Sequence, residues 1–272
     1  MSINEKIQNL RRLYKDSENS TDYGVFDPSK YTNNSARPLP VILLLDRSGS
    51  MGEIESGEVE RTGEIIVEDG KEYEIVNGGI SKIQILNQAL NDMINSFKEV
   101  GKNETEINVG VISFGNDATY DIPIKPAKDI KTLTYLKASG TTSMGEALRM
   151  AKKIVEDKNI IPSKGYRPTI VLVSDGEPND DWENAMNDFV SNGRSAKCER
   201  FALAIGQEAN REILGRFLKG TANKVQEADE ASKIKDFFKF VTMSVTKRST
   251  SNNPNILLPP TENQEMLDEM GF

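Results

Sequence analysis

Three short polar segments carry side chains whose types and spacing fit ligand binding. The first is Asp46-Arg-Ser-Gly-Ser50, in which one carboxylate is followed by two hydroxyls at alternate positions. The second is Ser139-Gly-Thr-Thr-Ser-Met-Gly145, which contains the adjacent residues Thr141 and Thr142, and the third is Ser174-Asp175-Gly-Glu-Pro178. Carboxylate and hydroxyl oxygens suit a hard divalent cation, Mg²⁺ first and Mn²⁺ or Ca²⁺ as alternatives.

The residue types that are missing narrow the chemistry further. The sequence has no histidine and a single cysteine, Cys198. Ser-His-Asp and Cys-His catalysis, zinc sites built on histidine or cysteine, and an intrachain disulfide are therefore excluded. Any chemistry must come from carboxylates, hydroxyls, lysines or a metal ion held by oxygen.

Composition and charge exclude several classes of partner. The 272 residues are 37% hydrophobic and carry a formal net charge of −8, which describes a soluble chain with material for a sizeable core. Nucleic-acid binding needs clustered cations, so we expect no nucleic-acid partner. No segment approaches the ~20 apolar residues that span a bilayer, and the N-terminus lacks a signal-peptide pattern. We expect a cytoplasmic protein without membrane contact.

Two of the polar segments directly follow aliphatic runs. Val41–Leu45 precedes Asp46, and Thr169–Val173 precedes Ser174 and Asp175. Runs of this kind are typical of strands buried on both faces of a parallel sheet. If the two strands are neighbours, both carboxylates lie in one crevice at the carboxyl edge of the sheet, where open α/β sheets bind ligands.

The alternation of strands and helices predicts the fold class. Strands that alternate with helices of ten or more residues indicate a doubly wound α/β fold, with a mainly parallel central sheet and helices on both faces. A turn at Asn116-Asp117 predicts a hairpin that adds one antiparallel edge strand. Ser143 and Glu146 form a capping-box pattern at the start of a helix. Further helices are predicted from Ser81 and over Asp181–Ala196, Arg211–Leu218 and Ile234–Val245, and further strands over Ile107–Phe114, Ala118–Ile124, Arg200–Ile205 and Asn223–Gln226.

The chain divides into an extension, a domain and a tail. Residues 1–37 form an N-terminal extension with a short amphipathic helix, residues 38–247 form the α/β domain, and residues 248–272 form a flexible C-terminal tail. Residues 53–80 interrupt the domain where two to six connecting residues would suffice. Their Asp69-Gly70 pair predicts an inserted β-hairpin, or β-ribbon, that stands over the first polar segment and restricts access to it.

Together the three polar segments resemble the metal-ion-dependent adhesion site (MIDAS) of von Willebrand factor A (VWA) domains, over about residues 38–246. The resemblance implies a VWA fold around a bound divalent cation. It also implies that Ser48 and Ser50 bind the ion directly, that Asp46 and Asp175 bind it mostly through water, and that a loop threonine completes the set.

The doubled threonine leaves two positions for that last ligand. Thr142 is preferred, because it precedes Ser143, the predicted N-cap, and matches the Gly-Thr-x-x-Gly register of the family. Thr141 stays open as the alternative.

The resemblance implies a non-enzymatic protein-binding module, whose metal captures a Glu or Asp of a partner protein. More narrowly, Leu-Leu-Leu-Asp-Arg-Ser-Gly-Ser-Met and Gly-Thr-Thr-Ser-Met-Gly-Glu-Ala-Leu are similar to VWA proteins of bacterial tellurium-resistance and related stress or defence gene clusters. That similarity implies a scaffold beside a kinase or phosphatase of the same cluster.

Other interpretations remain. The chain can be read as a Mg²⁺-dependent phosphohydrolase with Asp46 as nucleophile, but such sites use Asp-x-Asp where this sequence has Ser48, and no phosphate-binding lysine can be assigned. A second alternative makes the metal site structural and gives function to the tails. The acids of the polar segments are also favoured as helix caps.

Overall fold

The structure, a computed structural model, describes residues 37–68, 71–100, 105–133, 135–256, 265, 267 and 268. Nearly all of the predicted N-terminal extension, including its amphipathic helix, lies outside these residues, as does the predicted Asp69-Gly70 turn.

Six of the described strands form a central sheet. In chain order they are β1 (Arg37–Asp46), β4 (Thr105–Phe114), β5 (Ala118–Pro126), β6 (Thr169–Ser174), β7 (Glu199–Ile205) and β8 (Gln226–Ala228). Their spatial order is β5-β4-β1-β6-β7-β8. All neighbouring pairs are parallel except β4 and β5, which pair in the antiparallel sense. The predicted fold class is confirmed, including its single antiparallel edge strand.

The central strand β1 is buried on both faces, as its unbroken aliphatic sequence predicts. Leu43 and Leu45 point into one core, whereas Ile42 and Leu44 point into the other. Because side chains alternate along a strand, a run without polar residues supplies both cores at once.

Helices cover both faces of the sheet. They are α1 (Lys82–Val100), α2 (Met144–Glu156), α3 (Trp182–Ser191), α4 (Arg211–Phe217) and α5 (Ala231–Ser249). The apolar stripes of α1 and α5 pack into the first core, and those of α2, α3 and α4 pack into the second. None of the helices in the described ranges has the length and apolar character of a membrane span.

Two predicted elements have different bounds in the structure. Helix α3 ends at Ser191, before the predicted Ala196, because Gly193 adopts a φ of +72° that no helix continues through. The last short strand covers Gln226–Ala228, because Asn223, the predicted start, instead donates side-chain hydrogen bonds to Glu199 and to the carbonyl of Arg200.

The start of the predicted tail packs against the sheet. Helix α5 continues to Ser249, and the guanidinium of Arg248 is buried beside the amino end of β6. It donates to Thr169 Oγ1 at 2.7 Å and to the carbonyl of Pro254 at 2.9 Å. A buried guanidinium needs such acceptors, so residues 248–256 are held by contacts that no local sequence pattern indicates.

The predicted β-ribbon is present and longer than the hairpin signal indicates. Its strands are β2 (Ile54–Glu68) and β3 (Lys71–Ser81), which pair with each other as a separate two-stranded sheet. The amide of Lys82 donates to the carbonyl of Glu53 at 3.0 Å and closes the base of the ribbon. Three register shifts between Ile54 and Ile65 interrupt the ladder, and such irregularities bend a ribbon.

Candidate metal centre

The first and third polar segments leave the sheet side by side. Strands β1 and β6 are parallel neighbours, and Leu45 pairs with Val173 in the last register position. Asp46 and Asp175 therefore follow at the same edge, where their side chains are almost fully buried. The crevice that the sequence predicts for neighbouring strands is formed.

Asp46 lies beneath the other donors and organises the first segment. Its Oδ1 accepts a hydrogen bond from the amide of Ser48 at 2.8 Å, and its Oδ2 accepts one from the hydroxyl of Ser174 at 2.6 Å. Both oxygens are engaged and the residue has no exposed surface. Asp46 thus fixes the backbone of the loop that presents the serine hydroxyls.

The two serines and Asp175 form a hydrogen-bonded chain. The hydroxyl of Ser50 donates to Asp175 Oδ1 at 2.8 Å, and the hydroxyls of Ser48 and Ser50 are 3.1 Å apart. Because Ser50 has committed its proton to Asp175, Ser48 is the donor in the second bond. Three of the predicted ligands are therefore linked in one chain of hydrogen bonds, with Ser50 in the middle.

The second segment brings Thr142 to the same place. A Cβ built on Gly176 would stand 3.9 Å from Thr142 Oγ1 and 4.0 Å from Ser50 Oγ, so the two hydroxyls border one space that glycine leaves open. The hydroxyl of Thr141 instead donates to the carbonyl of Gly115 at 3.4 Å. Of the two threonines, only Thr142 lines the space.

The predicted capping box is wrong. The hydroxyl of Ser143 donates to the carbonyl of Asn116 and makes no cap, and the Glu146 carboxylate binds the backbone of β5. Asp180, two residues beyond the third segment, instead accepts from the amides of Gly145 at 3.0 Å and of Glu146 at 2.8 Å. The residues that directly follow the third segment thereby cap α2 and hold the second segment in place. This partner lies too far along the chain for a local pattern to show it.

Lys82, which the sequence did not predict, completes the group. Its Nζ donates to Glu53 Oε2 at 2.6 Å and to Asp175 Oδ2 at 3.2 Å. Its side chain is only 8% exposed. The residue lies at the start of α1, directly after the ribbon, and no sequence motif there indicates a role beside Asp175.

These side chains line a cleft of about 460 Å³ at the carboxyl edge of the sheet. Ser48, Ser50, Thr142, Asp175 and Lys82 lie in its wall, together with Tyr73 from the ribbon and Glu208 from the segment between β7 and α4. We call this space the cleft. Asp46 is behind the wall, and Thr141 lies outside it.

The electrostatics of the cleft favour an added cation. Burial, followed by the negative charge of Asp175, raises the pKa of Asp46 to about 7, against hydrogen bonds from Ser174 and Ser48 that lower it. Burial also raises the pKa of Asp175, although Lys82 opposes this. Burial lowers the pKa of Lys82, but Asp175 and Glu53 raise it by more. Of the two buried carboxylates, Asp175 is paired with the ammonium of Lys82, whereas Asp46 is held by hydrogen bonds from Ser48 and Ser174.

The donor set fits a hard cation. Within the described ranges, no group of three or more Asp, Glu or Cys side chains gathers at metal-binding spacing. An ion in the cleft must therefore draw much of its coordination from the neutral hydroxyls of Ser48, Ser50 and Thr142, which suits Mg²⁺, Mn²⁺ or Ca²⁺. Among the side chains that line the cleft, the ammonium of Lys82 is the one whose positive charge opposes a bound cation.

We expect Asp46→Asn to stabilise the metal-free protein at high pH. The folded protein holds the Asp46 proton more tightly than the unfolded chain does, because its pKa is about 7 against the ordinary 3.8. Stability is therefore lost as the pH rises from about 4 to about 7. In EDTA the variant should exceed the parent in unfolding free energy by at least about 1 kcal/mol near pH 8, with the difference vanishing near pH 4.

Urea unfolding across this pH range measures the effect. Asp92→Asn, which removes an exposed charge on α1, is the matched control and should stay within about 0.5 kcal/mol of the parent. An Asp46→Asn variant that is less stable than the parent near pH 8 would contradict the burial argument.

We expect Lys82→Met to bind divalent cations more tightly than the parent does. The ammonium already neutralises part of Asp175 from 3.2 Å and repels an incoming ion. Its removal should lower the Kd for Mg²⁺ about tenfold, since tenfold corresponds to about 1.4 kcal/mol, a modest part of a short-range charge interaction. Titration calorimetry measures the Kd, and Lys239→Met, an exposed lysine on α5, is the control. Weaker binding by Lys82→Met would show that the ammonium supports the ion.

Several solved structures resemble this fold. Proximal thread matrix protein 1 from the mussel byssus has a TM-score of 0.53 and 17% sequence identity, covering 76% of this chain and 47% of its own. A further structure of that protein has its MIDAS motif occupied by zinc. A von Willebrand factor type A protein from Catenulispora acidiphila has a TM-score of 0.52 and 16% identity, covering 76% of this chain and 42% of its own. At these identities the likeness shows the fold alone, and the chain spans about half the length of these proteins.

Sequence comparison gives the family. No curated protein matches the chain in sequence. The family model for the von Willebrand factor type A domain matches residues 41–177, which is half of the chain and extends from strand β1 into the third polar segment. With the sheet order and the cleft at its carboxyl edge, this match establishes that the chain belongs to the von Willebrand factor type A domain family.

Proposed function

We propose that this chain is a divalent-cation-dependent protein-binding module that captures an Asp or Glu side chain of a partner. The observation that carries the proposal is the convergence of three separate segments on one cleft, where the hydroxyls of Ser48, Ser50 and Thr142 border the same space as Asp175. The zinc in the MIDAS motif of the mussel protein supports a metal in this fold.

The chain would hold the ion with neutral and charged oxygens in distinct roles. Ser48, Ser50 and Thr142 would bind it directly, and Asp46 and Asp175 mostly through water. When bound, the ion, with Mg²⁺ preferred over Mn²⁺ and Ca²⁺, supplies a positive charge with a coordination position left for a ligand from outside. Hydroxyls neutralise none of that charge, so an external carboxylate is the ligand that the donor set favours.

We propose a non-catalytic role, and the position of Asp46 supports it. The phosphohydrolase alternative requires Asp46 as nucleophile, but both of its carboxylate oxygens accept hydrogen bonds and the residue has no exposed surface. Lys82 supplies the cation in the cleft that this alternative needs. Its ammonium is paired with Asp175 and Glu53, however, so it neutralises carboxylates of the cleft and is not left unpaired to bind a phosphate.

The finer biological setting rests on motif similarity. The sequences around Asp46 and Thr142 favour a scaffold of a bacterial tellurium-resistance, stress or defence gene cluster, with a kinase or phosphatase of the same cluster as the partner. A cytoplasmic location accords with that role. The interpretation that gives function to the tails concerns residues that lie mostly outside the described ranges.

We expect Thr142→Ala to weaken metal binding and Thr141→Ala to leave it unchanged. The first substitution removes a hydroxyl from the cleft, and the second removes one that binds the Gly115 carbonyl. Since even indirect support of a metal ligand contributes tenfold or more, the Kd for Mn²⁺ should rise at least about tenfold in Thr142→Ala. Calorimetry measures the Kd, and thermal unfolding in EDTA checks that both variants fold.

The same pair of variants tests partner capture. Proteins retained from a cell extract by the immobilised parent in Mg²⁺ should elute in EDTA, be lost on Thr142→Ala and be kept on Thr141→Ala. Retention that survives both EDTA and Thr142→Ala would count decisively against a metal-held carboxylate.

We expect no turnover of p-nitrophenyl phosphate in the presence of Mg²⁺. Both oxygens of the Asp46 carboxylate accept hydrogen bonds and the residue has no exposed surface, so it makes a poor nucleophile. Turnover in the parent that disappears in Asp46→Asn would establish the phosphohydrolase instead. Turnover that persists in Asp46→Asn would indicate a contaminating enzyme.

A further inference from the structure

The ribbon carries most of the exposed large apolar side chains of the described residues. Seven of their eleven exposed large apolar side chains belong to it, namely Ile54, Val59, Ile65, Ile66, Val67, Ile75 and Ile80. Ile65 is 62% exposed and Val67 69% exposed, so both project into solvent. A concentration of this kind on one surface element marks an interaction site.

The ribbon also offers unpaired backbone. Among the residues that the structure describes, strands β2 and β3 pair only with each other and form no ladder with the six-stranded sheet, so each has an outer edge. A two-stranded ribbon is only marginally stable in water, and a third strand adds backbone hydrogen bonds along a free edge. The outer strand edges and the exposed apolar side chains of the ribbon therefore favour the same kind of ligand, an added strand.

The distribution of apolar side chains over both faces selects an extended ligand. Ile66 pairs directly with Tyr73, and directly opposed residues share a face of the ribbon. Ile65 and Val67 therefore lie on the opposite face, and apolar side chains project on both sides of the same stretch. A helix or a flat protein surface would cover one face only. An added strand, whose own side chains alternate, reaches both.

This stretch of the ribbon lies at the cleft. Tyr73 lines the cleft, and its pairing partner Ile66 stands next to it on the same face. An added strand lies about 4.8 Å from the edge it joins, so a chain docked along Ile65–Val67 runs within one or two strand widths of Tyr73. One of its side chains can then enter the cleft.

The negative charge of the ribbon determines which kind of extended segment it attracts. Residues 54–81 contain eight acidic and two basic residues, a net charge of −6 out of −8 for the whole chain. A second copy of this ribbon would be repelled, which argues against pairing between like ribbons. A segment with basic residues is attracted.

We infer that the ribbon is a docking arm for an extended partner segment, in which β-branched apolar and basic residues flank one acidic residue that enters the cleft. The acidic residue rests on the proposed function. The apolar and basic residues rest on the ribbon alone. Metal capture and ribbon docking would then act on one continuous segment.

A library of random short peptides displayed on phage tests the inference with the full chain in Mg²⁺. The ribbon variant carries Ile66→Ser and Val67→Ser, which remove one exposed apolar side chain from each face. The matched control carries Ile160→Ser and Ile256→Ser, two exposed residues outside the ribbon. Titration with Mg²⁺ should give the same Kd for parent, variant and control, because none of these residues lines the cleft.

The parent and control should enrich peptides with Lys or Arg and Val, Ile or Thr around an Asp or Glu. The ribbon variant should lose the β-branched enrichment and keep the acid, because its charge is unchanged. A synthetic peptide from the parent pool should bind the variant at least about tenfold more weakly, and its affinity for the parent should fall as NaCl is raised.

Parent and ribbon-variant pools of the same composition would overturn the inference. Metal-dependent selection of Asp or Glu in those pools would still uphold the proposed function. Conversely, selection of β-branched residues that depends on the ribbon and is unchanged by EDTA would support the docking arm and reject the metal-held carboxylate.

Discussion

The parallel pairing of β1 with β6 places two carboxylates next to each other where water hardly reaches. Each ionised carboxylate is costly there, and each makes the other more costly. The contacts around them follow from that cost. Asp46 takes hydrogen bonds from Ser48 and Ser174, whereas Asp175 takes them from Ser50 and the ammonium of Lys82. These contacts offset part of the negative charge in the cleft, and a bound divalent cation would offset more of it than the ammonium of Lys82 does.

Lys82 connects this charge to the ribbon. Its ammonium bridges Asp175 in the cleft and Glu53 at the base of β2, and its amide donates to the carbonyl of Glu53. The same short stretch therefore neutralises the cleft and anchors the element that stands beside it. A cation that weakens the ion pair between Lys82 and Asp175 would therefore also affect the ion pair between Lys82 and Glu53 at the base of the ribbon.

Sequence alone was sufficient where the signal is local. The aliphatic runs before Asp46 and Asp175 identified the two central strands, and the Asp69-Gly70 signal identified the ribbon. Lys82 was missed because its partner Asp175 lies 93 positions away and its immediate neighbours give no hint of it. The cap of α2 was misassigned for the same reason, since Asp180 reaches it from 34 positions away and displaces the local Ser143 pattern.

A metal-held carboxylate is a strong contact with little selectivity, because every Asp and Glu offers the same two oxygens. The recognition that separates one partner from another must come from the surface around the ion. In this chain the ribbon occupies that position, with Tyr73 in the wall of the cleft and Ile65–Val67 at the same level of the ladder. Its charge of −6 repels acidic segments that would otherwise compete for the ion. In the proposed docking mode, the ribbon would favour an acid that is flanked by basic and apolar residues over an acid in an acidic segment.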